Sequence, residues 1–148
     1  MNHFHVAAGI LRDAEGRILI TERLCDGPFN GLWEFPGGKI SDEESSSQAL
    51  RRELAEELGI EVIASQPYLN LHHEYPDRTV DLEFFLVTEW NGEPKGLESQ
   101  GLRWVLPSEI DPAELLPADA PVLGKLRDVI EHASGTFIEG SKAQPCEP

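Results

Sequence analysis

The chain has 148 residues, enough for one domain with a substantial core, and 27 Asp+Glu against 12 Lys+Arg give it a formal net charge of −15. Such a surface repels nucleic-acid backbone and argues against a polymer-binding role, although an anionic nucleotide can still bind where cations reverse the local sign. The two cysteines, Cys25 and Cys146, fit neither a disulfide framework nor a zinc site, and no apolar run reaches membrane-spanning length.

In chain order, Phe4 to Leu11 reads as a buried strand, Asp13-Ala14-Glu15-Gly16 as a turn, and Arg17 to Glu22 as the returning hairpin partner. Arg23 closes that strand, and Asp26, Gly27, Pro28, Asn30 and Gly31 make a loop. In the segment Leu32 to Lys39, Pro36-Gly37-Gly38 lets backbone come close to a ligand, which suits the floor of a site. Trp33, Trp90 and Trp104 read as core or rim packing, with Trp33, beside that floor, also placed where it could touch a base.

Residues 38–60 organise the rest. Ser45 followed by Gln48 predicts a capping-box start, Gly59 a left-handed stop, and Leu50, Leu54 and Leu58 a buried stripe on the helix between them. With Glu53 set at 0°, Glu57 falls at roughly 40° and Glu56 at roughly −60°, so three carboxylates share one arc beside the stripe. Glutamate-rich helical faces are ordinarily just solvated, and like charges at these spacings repel. A hard divalent cation such as Mg²⁺, bridging carboxylates and substrate phosphates, supplies a reason to gather them.

Glu61 to Glu74 is strand-like, interrupted by Pro67 and Asn70; Tyr75-Pro76-Asp77-Arg78 is a tight turn, and Thr79 to Trp90 is the clearest strand. Asn91-Gly92 marks a reversal, Glu93 to Gln100 a polar loop, and Gly101 to Leu106 a short strand. An irregular passage leads to a closing helix from about Pro121 to Ala133, with Val122, Leu123, Leu126, Val129 and Ile130 facing inward. Residues 134–148 read as a loose, flexible tail behind a single domain over residues 1–133. His72 and His73 read as edge or core residues rather than ligands. The pattern predicts an α/β or α+β chain, a mixed sheet sandwiched between helices.

Gly38, Glu44 and the run Arg52-Glu53-Leu54-Ala55-Glu56-Glu57-Leu58-Gly59-Ile60 fit the Nudix box without a mismatch, and the chain resembles the Nudix family. Ala7 to Arg12, Arg23, Glu34 to Lys39, Tyr75 to Arg78, Gly92-Glu93-Pro94 and Pro121-Val122 look like its MutT branch, whose members cleave nucleoside triphosphates to a monophosphate and pyrophosphate. The resemblance implies a Nudix fold. It also implies that the Gly37 carbonyl, Glu56, Glu57 and Glu98 hold Mg²⁺ or Mn²⁺ and that Glu53 is the general base, with access to a second metal. Arg52 would hold the acids in place, and Glu44 would be a secondary acid at the rim. Arg23, Glu34, Phe35, Pro36, Arg78 and Asp119 would contact the nucleotide.

The implied activity is hydrolysis of 8-oxo-dGTP, a nucleotide-pool sanitation reaction. At Asp119 and Pro28, however, the family's 8-oxo-dGTP enzymes carry asparagine and histidine. An ionised Asp119 suits an amino edge such as cytosine N4, so CTP or a modified pyrimidine triphosphate is the alternative substrate. A non-hydrolytic nucleotide-sensing module is the third reading, opposed by the complete set of box acids. A soluble cytoplasmic protein with no membrane partner is the expectation, since the chain starts with no basic-then-apolar leader. Monomer and dimer are both left open.

Overall fold

The computed structural model describes residues 2–24, 27 and 29–133, the side chains of 128–133 excepted. The expected tail, Pro28, and the inward faces of Val129 and Ile130 therefore lie outside what is described. The strands are β1 (Asn2–Leu11), β2 (Ile18–Glu22), β3 (Trp33–Glu34), β4 (Gly37–Lys39), β5 (Glu61–Tyr75), β6 (Arg78–Asn91) and β7 (Leu102–Val105). Helix α1 (Ser46–Leu58) sits between β4 and β5, and α2 (Ala120–Ala133) follows two short 3₁₀ turns. Among the described residues no helix is long and apolar enough to cross a membrane.

The mixed sheet has the order β4-β1-β6-β5, with β1 and β6 parallel and the other pairs antiparallel. A second, antiparallel sheet has the order β3-β2-β7. The expected hairpin between β1 and β2 is thus corrected. They share one bridge, Arg12 to Ile18, and then part into different sheets. The cause is that β1 already bonds β6 on one edge and β4 on the other, which leaves β2 to pair with β7. The turn between them is fixed by Asp13, whose carboxylate accepts from the Glu15 and Arg17 N–H groups and from the Arg17 side chain.

Alternation along β1 divides the core in two. Ala8 and Ile10 join Ile18, Ile20, Phe84, Val122, Leu123 and Leu126 on the α2 side. Ala7 and Leu11 join Leu50, Leu54, Leu58 and Val87 on the α1 side. Gly9 lets α1 lie close: a Cβ there would stand 3.1 Å from Leu54 and 3.2 Å from Leu50. The mixed sheet therefore does lie between two helices, with the smaller sheet beside it. Helix α1 begins and ends as its sequence predicts. Ser45 and Gln48 form the reciprocal capping box, and Gly59 turns left-handed at φ 72° while its N–H bonds the Ala55 carbonyl. Leu50, Leu54 and Leu58 are fully buried.

Candidate active site

The amphipathic pattern that buries the leucines leaves Arg52, Glu53, Glu56 and Glu57 along the flank of α1 that faces β4 and the loop before it. Arg52 is the hub. Its Nη2 and Nε donate to Glu44 at 2.6 and 3.1 Å, Nη1 donates to Glu53 at 2.9 Å and to Glu56 at 3.4 Å, and Nη2 also reaches the Lys39 carbonyl at 3.0 Å. This fork, with a further bond from the Ser41 N–H, holds the Glu44 carboxyl down to about 2. Glu53 is pressed against Gly38, where a Cβ would overlap its carboxyl group. Gly37 is equally confined, since a Cβ there would collide with the Ala7 carbonyl and Ala8. The Gly37 N–H donates to Glu57 at 3.3 Å.

Glu57 is the electrostatically unusual member. Burial, reinforced by the charges of Glu53, Glu98 and Glu34, pushes its carboxyl up to about 9. Among the described residues no lysine or arginine pairs with it, whereas Glu53 shares Arg52 with Glu44 and Glu56. No three acidic, histidine or cysteine side chains among the described residues converge as a ready-made metal cage. The donor set nonetheless fits a hard divalent cation. It is all oxygen, it is under-compensated by one guanidinium, and its most buried carboxyl is charged at neutral pH only if positive charge is supplied nearby.

Two cavities meet at this point. One of about 460 Å³ is lined by Arg23, Glu34, Phe35, Gly37, Gly38, Glu57, Arg78 and Asp119, with Phe4, Val6, Ala8, Tyr75, Leu82 and Leu116 completing its apolar wall. The other, about 220 Å³, shares Arg23, Glu34 and Glu57 and adds Glu22, Glu98 and Gln100. A wider open groove of about 590 Å³ around Trp90 and Trp104 contains none of the candidate residues.

Asp119 reaches the first cavity because the chain before α2 is stitched to β3. The Leu116 N–H bonds the Trp33 carbonyl, and the Asp119 N–H bonds the Leu116 carbonyl. The Asp119 carboxyl accepts from the Phe35 N–H at 2.9 Å. Burial, then the charge of Glu34, pushes it up to about 8 against the pull of that hydrogen bond and of Arg23. Glu34 itself is raised by burial, opposed by Arg23 at 2.9 Å.

All the predicted site residues except Pro36 thus gather around these cavities or the Arg52 hub. Pro36 is buried and its carbonyl accepts from the Gly9 N–H at 2.8 Å, which locks the floor to β1 without lining the cavity. Trp33, partly buried, packs against the core beneath Arg103, in the packing role expected of it. Lys39, stacked 4.1 Å over Phe4, and Tyr75, under Arg78, were not singled out from sequence. The even face of β1 was the available signal for Phe4 and Val6. Gln100 carried none.

Residues 7–125 match the NUDIX domain family. An 8-oxo-dGTP diphosphatase of Haemophilus influenzae is 42% identical over 121 residues, covering 82% of this chain and 89% of that protein. A CTP pyrophosphohydrolase of Escherichia coli is 38% identical over 123 residues, covering 83% and 90%. The solution structure of the E. coli ORF135 protein is similar with a TM-score of 0.75 and 36% identity, over 90% of this chain and 94% of that one.

Proposed function

Because this chain belongs to the NUDIX domain family, we propose that it hydrolyses nucleoside triphosphates to the monophosphate and pyrophosphate, with 8-oxo-dGTP as its principal substrate. On this reading it clears oxidised nucleotide from the cytoplasmic pool, using Mg²⁺ or Mn²⁺. The observation that carries it is the continuity of one cavity from Asp119 to Glu57, which brings a base-sized apolar wall within the same space as the acid-bearing helix.

The Gly37 carbonyl, Glu56, Glu57 and Glu98 would hold the metal, with Glu53 able to serve a second ion. The metal supplies charge neutralisation for the phosphate oxygens and acidifies water. Glu53 takes the proton of the attacking water, and its placement against Gly38 limits where that water can stand. Arg52 keeps Glu53 in place and is itself oriented by Glu44 and the Lys39 carbonyl. Arg23 and Arg78 face the nucleotide, and Phe35 offers an apolar surface to its base.

Asp119 supports the oxidised purine. With its carboxyl raised to about 8, it is mostly the neutral acid at pH 7, so it can donate a hydrogen bond to a carbonyl edge as an amide does. The same residue favours the second reading when ionised, because a carboxylate accepts from the amino edge of cytosine; the CTP pyrophosphohydrolase relative points the same way. A panel of 8-oxo-dGTP, dGTP, CTP and modified pyrimidine triphosphates, assayed with Mg²⁺ for pyrophosphate and ranked by kcat/KM, tests both. The expected result is 8-oxo-dGTP first and activity abolished by Glu53→Gln. CTP first selects the second reading, and no pyrophosphate from any member refutes hydrolysis.

A further inference from the structure

The loop between β6 and β7 does not hang free of α1. Its Lys95 and Leu97 N–H groups donate to the Leu58 and Glu57 carbonyls, each at 3.0 Å, satisfying acceptors that the end of a helix would otherwise leave to water. The Gln100 side chain adds a second tie. Its Nε2 donates to the Glu57 carbonyl at 3.1 Å, while its Oε1 accepts from the Glu98 N–H at 2.8 Å. The amide can sit only this way round, because a flip would set oxygen against carbonyl and NH₂ against N–H. The turn that makes this possible is tight. Ser99 adopts a left-handed φ of 68°, its N–H bonds the Gly96 carbonyl, and a Cβ on Gly96 would overlap the Gln100 carbonyl. Glu98, Gln100 and Glu57 line the same 220 Å³ cavity.

We infer that Gln100 is a positioning residue: its amide ties the backbone of Glu98 to the last turn of α1, so that Glu98 faces Glu57 and the pair can take a divalent cation together. This rests on the reading above in which both glutamates hold the metal. Both polar atoms of the Gln100 amide are spent on backbone groups of the protein itself. It acts by removing the freedom of an exposed loop, whose ordering would otherwise be charged against cation binding.

Mn²⁺ titrated into the wild type, Gln100→Met, Glu98→Gln and the double variant, with free Mn²⁺ counted by electron paramagnetic resonance, tests this without turnover. Loss of the two hydrogen bonds should raise the Kd for Mn²⁺ about fivefold to tenfold in Gln100→Met, and amide exchange at Glu98 should accelerate. The double variant should bind no more weakly than Glu98→Gln alone, since Gln100 acts through Glu98. Activity lost at low Mn²⁺ should return at high Mn²⁺, which a merely structural defect would not allow. Wild-type affinity in Gln100→Met, or fully additive losses in the double variant, overturns the inference. Wild-type affinity in Glu98→Gln overturns the ligand reading beneath it, and the inference falls with it. Should Gln100→Met not fold, Gln100→Asn, one methylene too short for both contacts, carries the same measurements.

Discussion

Replacing Asp119 by asparagine should remove a pH dependence of substrate preference that the wild type possesses. The wild-type carboxyl is raised to about 8 by burial, so about nine-tenths of it is neutral at pH 7 and about one-tenth at pH 9. One carboxyl oxygen, Oδ2, is engaged by the Phe35 N–H, which leaves the other side of the group for the base. In the neutral form the group donates to a purine carbonyl; ionised, it confronts that carbonyl as acceptor against acceptor. A correctly paired polar edge discriminates by about 1–3 kcal/mol, which is about 5- to 150-fold in kcat/KM. Measured at pH 6.5 and 9, the wild-type preference for 8-oxo-dGTP over CTP should fall at least about fivefold on that basis. In Asp119→Asn it should stay level. Comparing the two proteins cancels titrations they share, including that of Glu57, which is raised to about 9. An equal pH response in both would refute the argument.

The same carboxyl makes a prediction for the free protein. A folded pKa above the unfolded one lowers stability as pH rises from about 4 to about 8, after which its contribution is flat. Asp119→Asn should therefore gain roughly 2 kcal/mol on the wild type between pH 6 and 8, read by urea denaturation at each pH. Gly38→Ala should cost about 100-fold in kcat because the methyl displaces the Glu53 carboxyl from Arg52, while the melting temperature falls only slightly, the displaced atoms being the far end of a flexible side chain. Arg52→Lys should lower kcat by about tenfold with little change in KM, since a single ammonium cannot bridge Glu44 and Glu53 as the fork does. Gly59→Ala should destabilise by roughly 1 kcal/mol in urea unfolding, from the left-handed φ of 72°.

Local signals were legible where the cause is local. Ser45, Gln48 and Gly59 specify both ends of α1 through their own hydrogen bonds and backbone freedom, and Leu50, Leu54 and Leu58 specify the buried face. The acids and Arg52 were legible as a pattern and, in the structure, gather on one flank of that helix. The parting of β1 from β2 was not legible, because it depends on which distant strands claim the edges of β1, and those lie far along the chain. The seating of Pro36 and Trp33 was not legible for a similar reason. Their contacts, to Gly9 and to residues 115 and 116, cross the chain and leave no trace in neighbouring residues. The raised carboxyl of Asp119 likewise comes from desolvation, which a residue letter does not carry.

The alternation of β1 has an outcome for how this protein can diverge. Val6 and Ala8 line the cavity that also holds Asp119, whereas Ala7, Gly9 and Leu11 seat the helix that bears the acids. Drift at the even-numbered positions can therefore remodel which base is accepted while the hydrolytic apparatus behind the strand is inherited intact. Enlarging Gly9 would press on Leu50 and Leu54, which seat that helix, and so would bear on every substrate alike.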